Sequence, residues 1–180
     1  MLTIRKLVEI LGDYAGFYAM QFDRLQELGI DIEGLEIGHL AFRTETLDEY
    51  LKVRQELESF SSANVENVWN GRPISKLLLQ EPLELSQSAT TSLIELIPPV
   101  HQSVYKMGLE HFGIVIGETF TDFGEQHADK FTGQQDQGDY NQPYFITFPD
   151  QTNVKFHQHS LQQVVVLEGK RFDGFYHAID

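Results

Sequence analysis

At 180 residues the chain is long enough for one well-buried domain or for two small modules sharing a core, and its 41% hydrophobic and 12% aromatic content argues against disorder. A net charge of -14 with no basic arm excludes a general nucleic-acid binder, because such a surface repels phosphate backbones. With no cysteine, disulfides, thiolate nucleophiles and Cys-based zinc sites are excluded.

The first stretch, residues 3 to about 28, predicts a helix with a break near Gly12 or Gly16. Ile4, Leu7, Leu11, Tyr14, Tyr18, Phe22, Leu25 and Leu28 recur at threes and fours, giving one apolar stripe that packs on the sheet to come. Thr3 is a candidate cap, and Gly29 suits the left-handed helix stop. Glu9 and Asp13 interrupt the apolar core that a signal peptide would need, and no window reaches membrane-span length. A cytoplasmic protein is expected.

A strand follows over 37 to 43, with Leu40 and Phe42 on one face and His39, Ala41 and Arg43 on the other. A helix starting at Thr44 or Thr46 runs to about 59, with Leu47, Tyr50, Leu51 and Leu57 on or near its buried side. A short strand is predicted over 63–69. The Asn70-Gly71 pair tolerates the positive φ of a tight turn, and Pro73 sets the next dihedral. A third strand starts at Ile74 and closes at Glu81-Pro82, and a fourth covers 91 to 97 before Pro98-Pro99.

Residues 101 to 108 read as a linker. The second half opens on a strand over 110–116, then a helix over about 119 to 131. The polar segment 133–142 leaves a weak or missing strand, and 144–148 with 153–157 form a hairpin. Ser160 with Gln163 reads as a capping box starting a short helix, and the last residues either tuck their aromatics onto the body or fray.

The two halves echo each other. His39 and His111 enter alternating apolar runs 72 positions apart, and each run has a later partner strand, one carrying Glu95 and the other His157. In every case the polar residue lies opposite in direction to its bulky neighbours. If those neighbours pack under helices, four N or O donors share the other face of the sheet. Neutral imidazole and carboxylate suit a borderline divalent ion such as zinc, nickel, iron or manganese, at bonds of about 2.0–2.2 Å. His159 is an alternative to His157, since both share a strand face. Arg43 and Arg72 are candidates to hold a substrate carboxylate, as is Lys76, although pairing with Asp or Glu is an equal use for each. The role of Lys155, two residues before His157, stays open. His101, His127 and His177 are expected at the surface.

The blocks GHLAFR, NGRPI, SLIELIPP, LEHFGIVI and VKFHQHSLQQVV, across residues 30 to 168, resemble the bacterial YecM family. That family is similar to the vicinal oxygen chelate superfamily of glyoxalase I and extradiol dioxygenases. The resemblance implies an α+β fold of paired βαβββ modules forming a curled mixed sheet, with metal ligands on the first and last strand of each module. Carried over, those positions are His39, Glu95, His111 and His157. The last departs from the usual carboxylate.

The expected layout is a single domain, with an N-terminal helical segment over 1–34 and a first module over 35–100. A second, shortened module covers 108–160, and a C-terminal helix and tail cover 161–180. The expected function is a divalent-metal-dependent enzyme of isomerase, lyase or oxygenase type. Its substrate is small, oxygenated and anionic, with Glu95 moving a proton and Arg43 or Arg72 holding the anion. The alternative is a non-catalytic small-molecule or metal binding protein of the same fold. No nucleic-acid or membrane partner is expected, and a homodimer is the candidate assembly.

Overall fold

The computed structural model describes residues 2–99 and 105–179. His101 and part of the expected linker lie outside them. The leading stripe folds as two helices, α1 (Leu2–Leu11) and α2 (Tyr14–Glu27). The break falls at Gly12-Asp13, where the Asp13 carboxylate accepts the backbone N–H of Gly16 at 2.8 Å and so caps α2.

The first module is β1 (Glu36–Arg43), α3 (Leu47–Glu58), β2 (Ser61–Trp69), β3 (Arg72–Glu84) and β4 (Thr90–Ile97). Thr46 caps α3, which buries Tyr50, Val53, Arg54 and Leu57. Leu47, expected on or near the buried side, is exposed. The turn between β2 and β3 has Asn70 at φ 49° and Gly71 at φ 75°, the paired positive dihedrals that an Asn-Gly hairpin demands. β3 does not close at Glu81-Pro82. It absorbs an irregularity between Leu78 and Leu83 and continues to Glu84, because an edge-facing proline needs no ladder partner there.

The second module is β5 (Gly108–Val115), a 3₁₀ turn (Gly117–Thr119), α4 (Phe120–Gln126), β6 (Gly133–Gln134), β7 (Tyr144–Thr147) and β8 (Asn153–His157). The helix expected to reach 131 stops at Gln126. The five residues beyond make turns that lay Phe131 against Phe156, with ring centroids 5.6 Å apart. α5 (Leu161–Leu167) carries the expected capping box of Ser160 and Gln163. The tail does not fray: β9 (Phe175–Tyr176) pairs with β2, and of its aromatics Phe172 is half-buried while Phe175 and Tyr176 stay exposed. Its anchor is the Glu66 carboxylate, which accepts the backbone N–H groups of Ala178 and Ile179.

These strands form one mixed nine-stranded sheet in the order β6-β7-β8-β5-β1-β4-β3-β2-β9. Within each module the first strand runs parallel to the fourth, and β1 meets β5 antiparallel at the centre. That is a paired βαβββ sheet with an N-terminal helical extension. The extension covers what the short α4 leaves bare: Phe17 and Tyr18 of α2 sit on Phe112 at centroid distances of 6.4 and 5.2 Å. Tyr50, Phe112 and Phe156 are fully enclosed on this helix side. Burying each such side chain contributes about 1.5–3 kcal/mol, which pins the register of the central strands.

The central pairing obeys a local two-fold axis. His39 lies opposite Gly113 and Ala41 opposite His111, while Leu40 faces Phe112 on the axis itself. Exchanging His39 with His111 and Ala41 with Gly113 therefore maps the pair of strands onto itself. Two register breaks in this ladder obey the same exchange, leaving Gly38 extra on β1 and Glu110 extra on β5.

Candidate metal centre

The face away from the helices carries the polar focus. β1, β4 and β5 deliver His39, Glu95 and His111, and one ligand atom from each lies within 4.8 Å of the others. The Glu95 carboxylate is 3.2 Å from His111 Nε2 and 3.8 Å from His39 Nε2. His157 stands beside them, with its ring centroid 5.2 Å from that of His39, but it lies outside the cluster of three.

The hydrogen bonds fix which ring nitrogens are free. His111 Nδ1 is 3.2 Å from a Glu110 oxygen, and His157 Nδ1 is 3.1 Å from the Asn141 side-chain oxygen. Both acceptors require a proton on Nδ1, so Nε2 keeps its lone pair in the neutral ring. Nε2 of His39, His111 and His157 is in each case buried without a hydrogen-bond partner. Lone pairs and a carboxylate converging with no donor between them are costly unless a cation sits there. The donor set fits a divalent ion.

Electrostatics agree. Burial holds His39 well below the usual imidazole range despite the opposing charge of Glu95. His157 is pushed down to about 3, first by burial and then by Lys155. Burial alone would raise Glu95. Its close approach to His111 and the nearby charge of Lys155 outweigh it and hold the carboxyl well below the ordinary range. Neutral rings and an ionised carboxylate are the forms that ligate a metal.

Backbone shape makes the room. A Cβ on Gly113 would lie 2.1 Å from His39 Cε1, so the imidazole occupies the space that any other residue would fill. Glu110 is the extra residue of its register break. The break turns its side chain onto the His111 side, where alternation would have sent it to the helices. Arg43 binds the same carboxylate, donates to the Pro98 carbonyl at 3.1 Å and stacks on the Tyr105 ring at 4.2 Å. Glu110 is pushed down to about 2, with burial opposed by His111 and Arg43.

Beside Glu95 opens a cleft of ≈ 390 Å³, to which Arg43, Arg72 and Lys155 contribute from both modules. Lys76 faces Glu95 across β3 and β4 but is tied to the Asn67 side chain at 2.5 Å. His177 bonds Glu58 at 2.5 Å on the far side, and His127 packs on Phe123. The sequence reading missed Glu110, Asn141 and Gly113. Only Gly113 left a signal, as a glycine inside an apolar strand run.

The YecM protein family model matches residues 6–168. The chain belongs to the YecM family. Its fold is shared by a structural-genomics protein titled Protein EC4020, at 24% identity and a TM-score of 0.68 over 89% of this chain and 91% of that one. Weaker similarity extends to 2,2',3-trihydroxybiphenyl 1,2-dioxygenase from Sphingomonas wittichii strain RW1, at 14% identity, a TM-score of 0.40 and coverage of 68% and 40%. The fosfomycin resistance protein FosX from Listeria monocytogenes, complexed with Mn(II) and 1S,2S-dihydroxypropylphosphonic acid, gives 11% identity, a TM-score of 0.27 and coverage of 73% and 96%. No curated protein matches this YecM-family chain. Among its described residues no helix is long and apolar enough to cross a membrane.

Proposed function

We propose that this YecM-family protein is a metal-dependent enzyme acting on a small, oxygenated, anionic substrate, with His39, His111 and Glu95 as the metal ligands. The convergence of two unpartnered Nε2 atoms and one carboxylate within 4.8 Å supports this reading above all. The paired βαβββ sheet also supports it, being the architecture that the resemblance to the vicinal oxygen chelate superfamily implies. Zinc, nickel, iron and manganese all suit two imidazoles and a carboxylate.

When bound, such an ion supplies Lewis-acid polarisation of substrate oxygens, worth several kcal/mol at the transition state. The chain's own groups do the rest. Glu110 orients His111 through Nδ1, and Arg43 clamps Glu110, so Arg43 positions a ligand rather than holding substrate. Glu95 borders the cleft and is the group placed to take up or return a substrate proton. Arg72, at the cleft wall, holds the anionic end. His157, fixed by Asn141, keeps an unprotonated Nε2 beside His39 and serves as a reserve donor. An isomerisation that moves a proton between adjacent carbons needs only this proton transfer.

The test is elemental analysis of tag-free protein and of His39→Ala, His111→Ala and Glu95→Gln. One equivalent of a divalent ion is expected in the parent and a large loss in each variant, with the circular-dichroism spectrum unchanged. Metal retained in all three variants would refute the assignment.

A further inference from the structure

The local two-fold axis that exchanges His39 with His111 also exchanges β4 with β8. Glu95 stands beside Ala41 on β4, and Lys155 stands beside Gly113 on β8. Since Ala41 and Gly113 are exchanged, the counterpart of Glu95 is Lys155, not His157. A cation therefore occupies the place where a second carboxylate ligand would complete the symmetry.

Charge in the cleft is lopsided for a chain of net charge -14. Three cations, Arg43, Arg72 and Lys155, line it against two carboxylates, Glu95 and Glu110, a surplus of one before any metal ion is counted. Arg43 is paired with Glu110. Among the described residues Arg72 and Lys155 form no ion pair, and Arg72 Nε is enclosed without a hydrogen-bond partner. Burial disfavours the charge on both; repulsion by Arg43 adds to it at Arg72, whereas Glu95 and Glu110 partly offset it at Lys155. The side-chain oxygens of Gln135 and Asn153 are also enclosed and unpartnered on the same cleft. Unpaired buried groups of both kinds call for a ligand that brings anions and hydroxyls together.

The two cations address opposite ends of that ligand. Lys155 is level with Gly113, which faces His39. Arg72 begins β3 four residues before Lys76, the partner of Glu95, or about 13 Å along an extended strand. We infer that the cleft binds a small hydroxylated organic dianion, with one anionic head at the metal centre beside Lys155 and a second anion on Arg72. The placement of the head rests on the metal-centre reading above. The distal anion rests on Arg72 alone. A volume of ≈ 390 Å³ keeps the ligand small.

The probes are L-malate and L-lactate, which share a 2-hydroxy acid head and differ in the distal carboxylate. Each is titrated by calorimetry into Zn(II)-loaded and metal-free protein. Malate is expected to bind at least about tenfold more tightly than lactate, the scale of one buried charged hydrogen bond. Arg72→Gln should cost malate most of its advantage over lactate, while Arg72→Lys keeps part of the preference. Lys155→Met should weaken both acids alike. Equal affinity of the two acids for the parent protein, or equal losses of both in Arg72→Gln, overturns the inference. If Zn(II) fails to bind at all, the metal centre falls. A malate preference surviving on metal-free protein then still supports the distal site, and its loss there overturns that site too.

Discussion

The two modules are the informative comparison. On the axis they are nearly equivalent: His39 and His111 occupy exchanged positions on β1 and β5, each preceded by an extra residue in the ladder. Away from it they diverge. Gly38 at one break leaves room for Val115, whose Cγ2 a Cβ there would meet at 3.0 Å. Glu110 at the other break orients His111. Glu95 on β4 is answered by Lys155 on β8. The first module has a 12-residue helix and a 13-residue third strand, against 7 and 4 residues in the second. Symmetric positions thus supply the paired imidazoles, and asymmetric ones set the charges around them.

The sharpest break of that equivalence is at Gly113 and its counterpart Ala41. Gly113→Val places a side chain inside the His39 imidazole, so metal content measured by mass spectrometry should fall to background. Next is Lys155→Glu, which restores the missing symmetry by setting a second carboxylate opposite Glu95. Divalent-ion affinity should rise by roughly tenfold or more, and affinity for malate should fall, both read by calorimetry. Glu110→Gln removes the charged partner of His111 and should cost about 10–100-fold in metal affinity.

The effect of pH on metal-free protein separates the modules more gently. His157 is held down to about 3 by burial and by Lys155, whereas the unfolded chain takes up that proton near pH 6.5. Stability is therefore complete above about pH 6.5 and declines as pH falls toward about 3. Glu110, pushed down to about 2, adds a second decline below its ordinary 4.5. Urea midpoints at about pH 7.5 and about pH 5 should differ, and His157→Gln should narrow that difference. The smallest effect is expected for Ala41→Gly. It keeps full metal content and costs about 0.5–1 kcal/mol of stability, the backbone-entropy cost of a glycine inside a strand.

Much of this was legible in the chain itself. Alternation with a period of two put His39, Glu95 and His111 on the face opposite Leu40, Ile94 and Phe112, because successive side chains in a strand point to opposite sides. The Asn70-Gly71 turn and the Ser160 capping box were likewise local chemistry. Alternation could not single out Glu110, because a register break resets the period at a position that no local residue type announces.

What the amino-acid order determined by itself was which faces were apolar, where strands and helices begin, and which donors could share a side. Tertiary structure alone decided which of those donors meet. It gathered the side chains of His39, Glu95 and His111 around one point, bound Arg43 to Glu110, and made Lys155 rather than His157 the counterpart of Glu95. The physical reason is that facing is set within a strand by neighbouring residues. Meeting is set by hydrogen-bond register between strands far apart in the chain, such as those that carry His39 and His111, which only the packed core can fix.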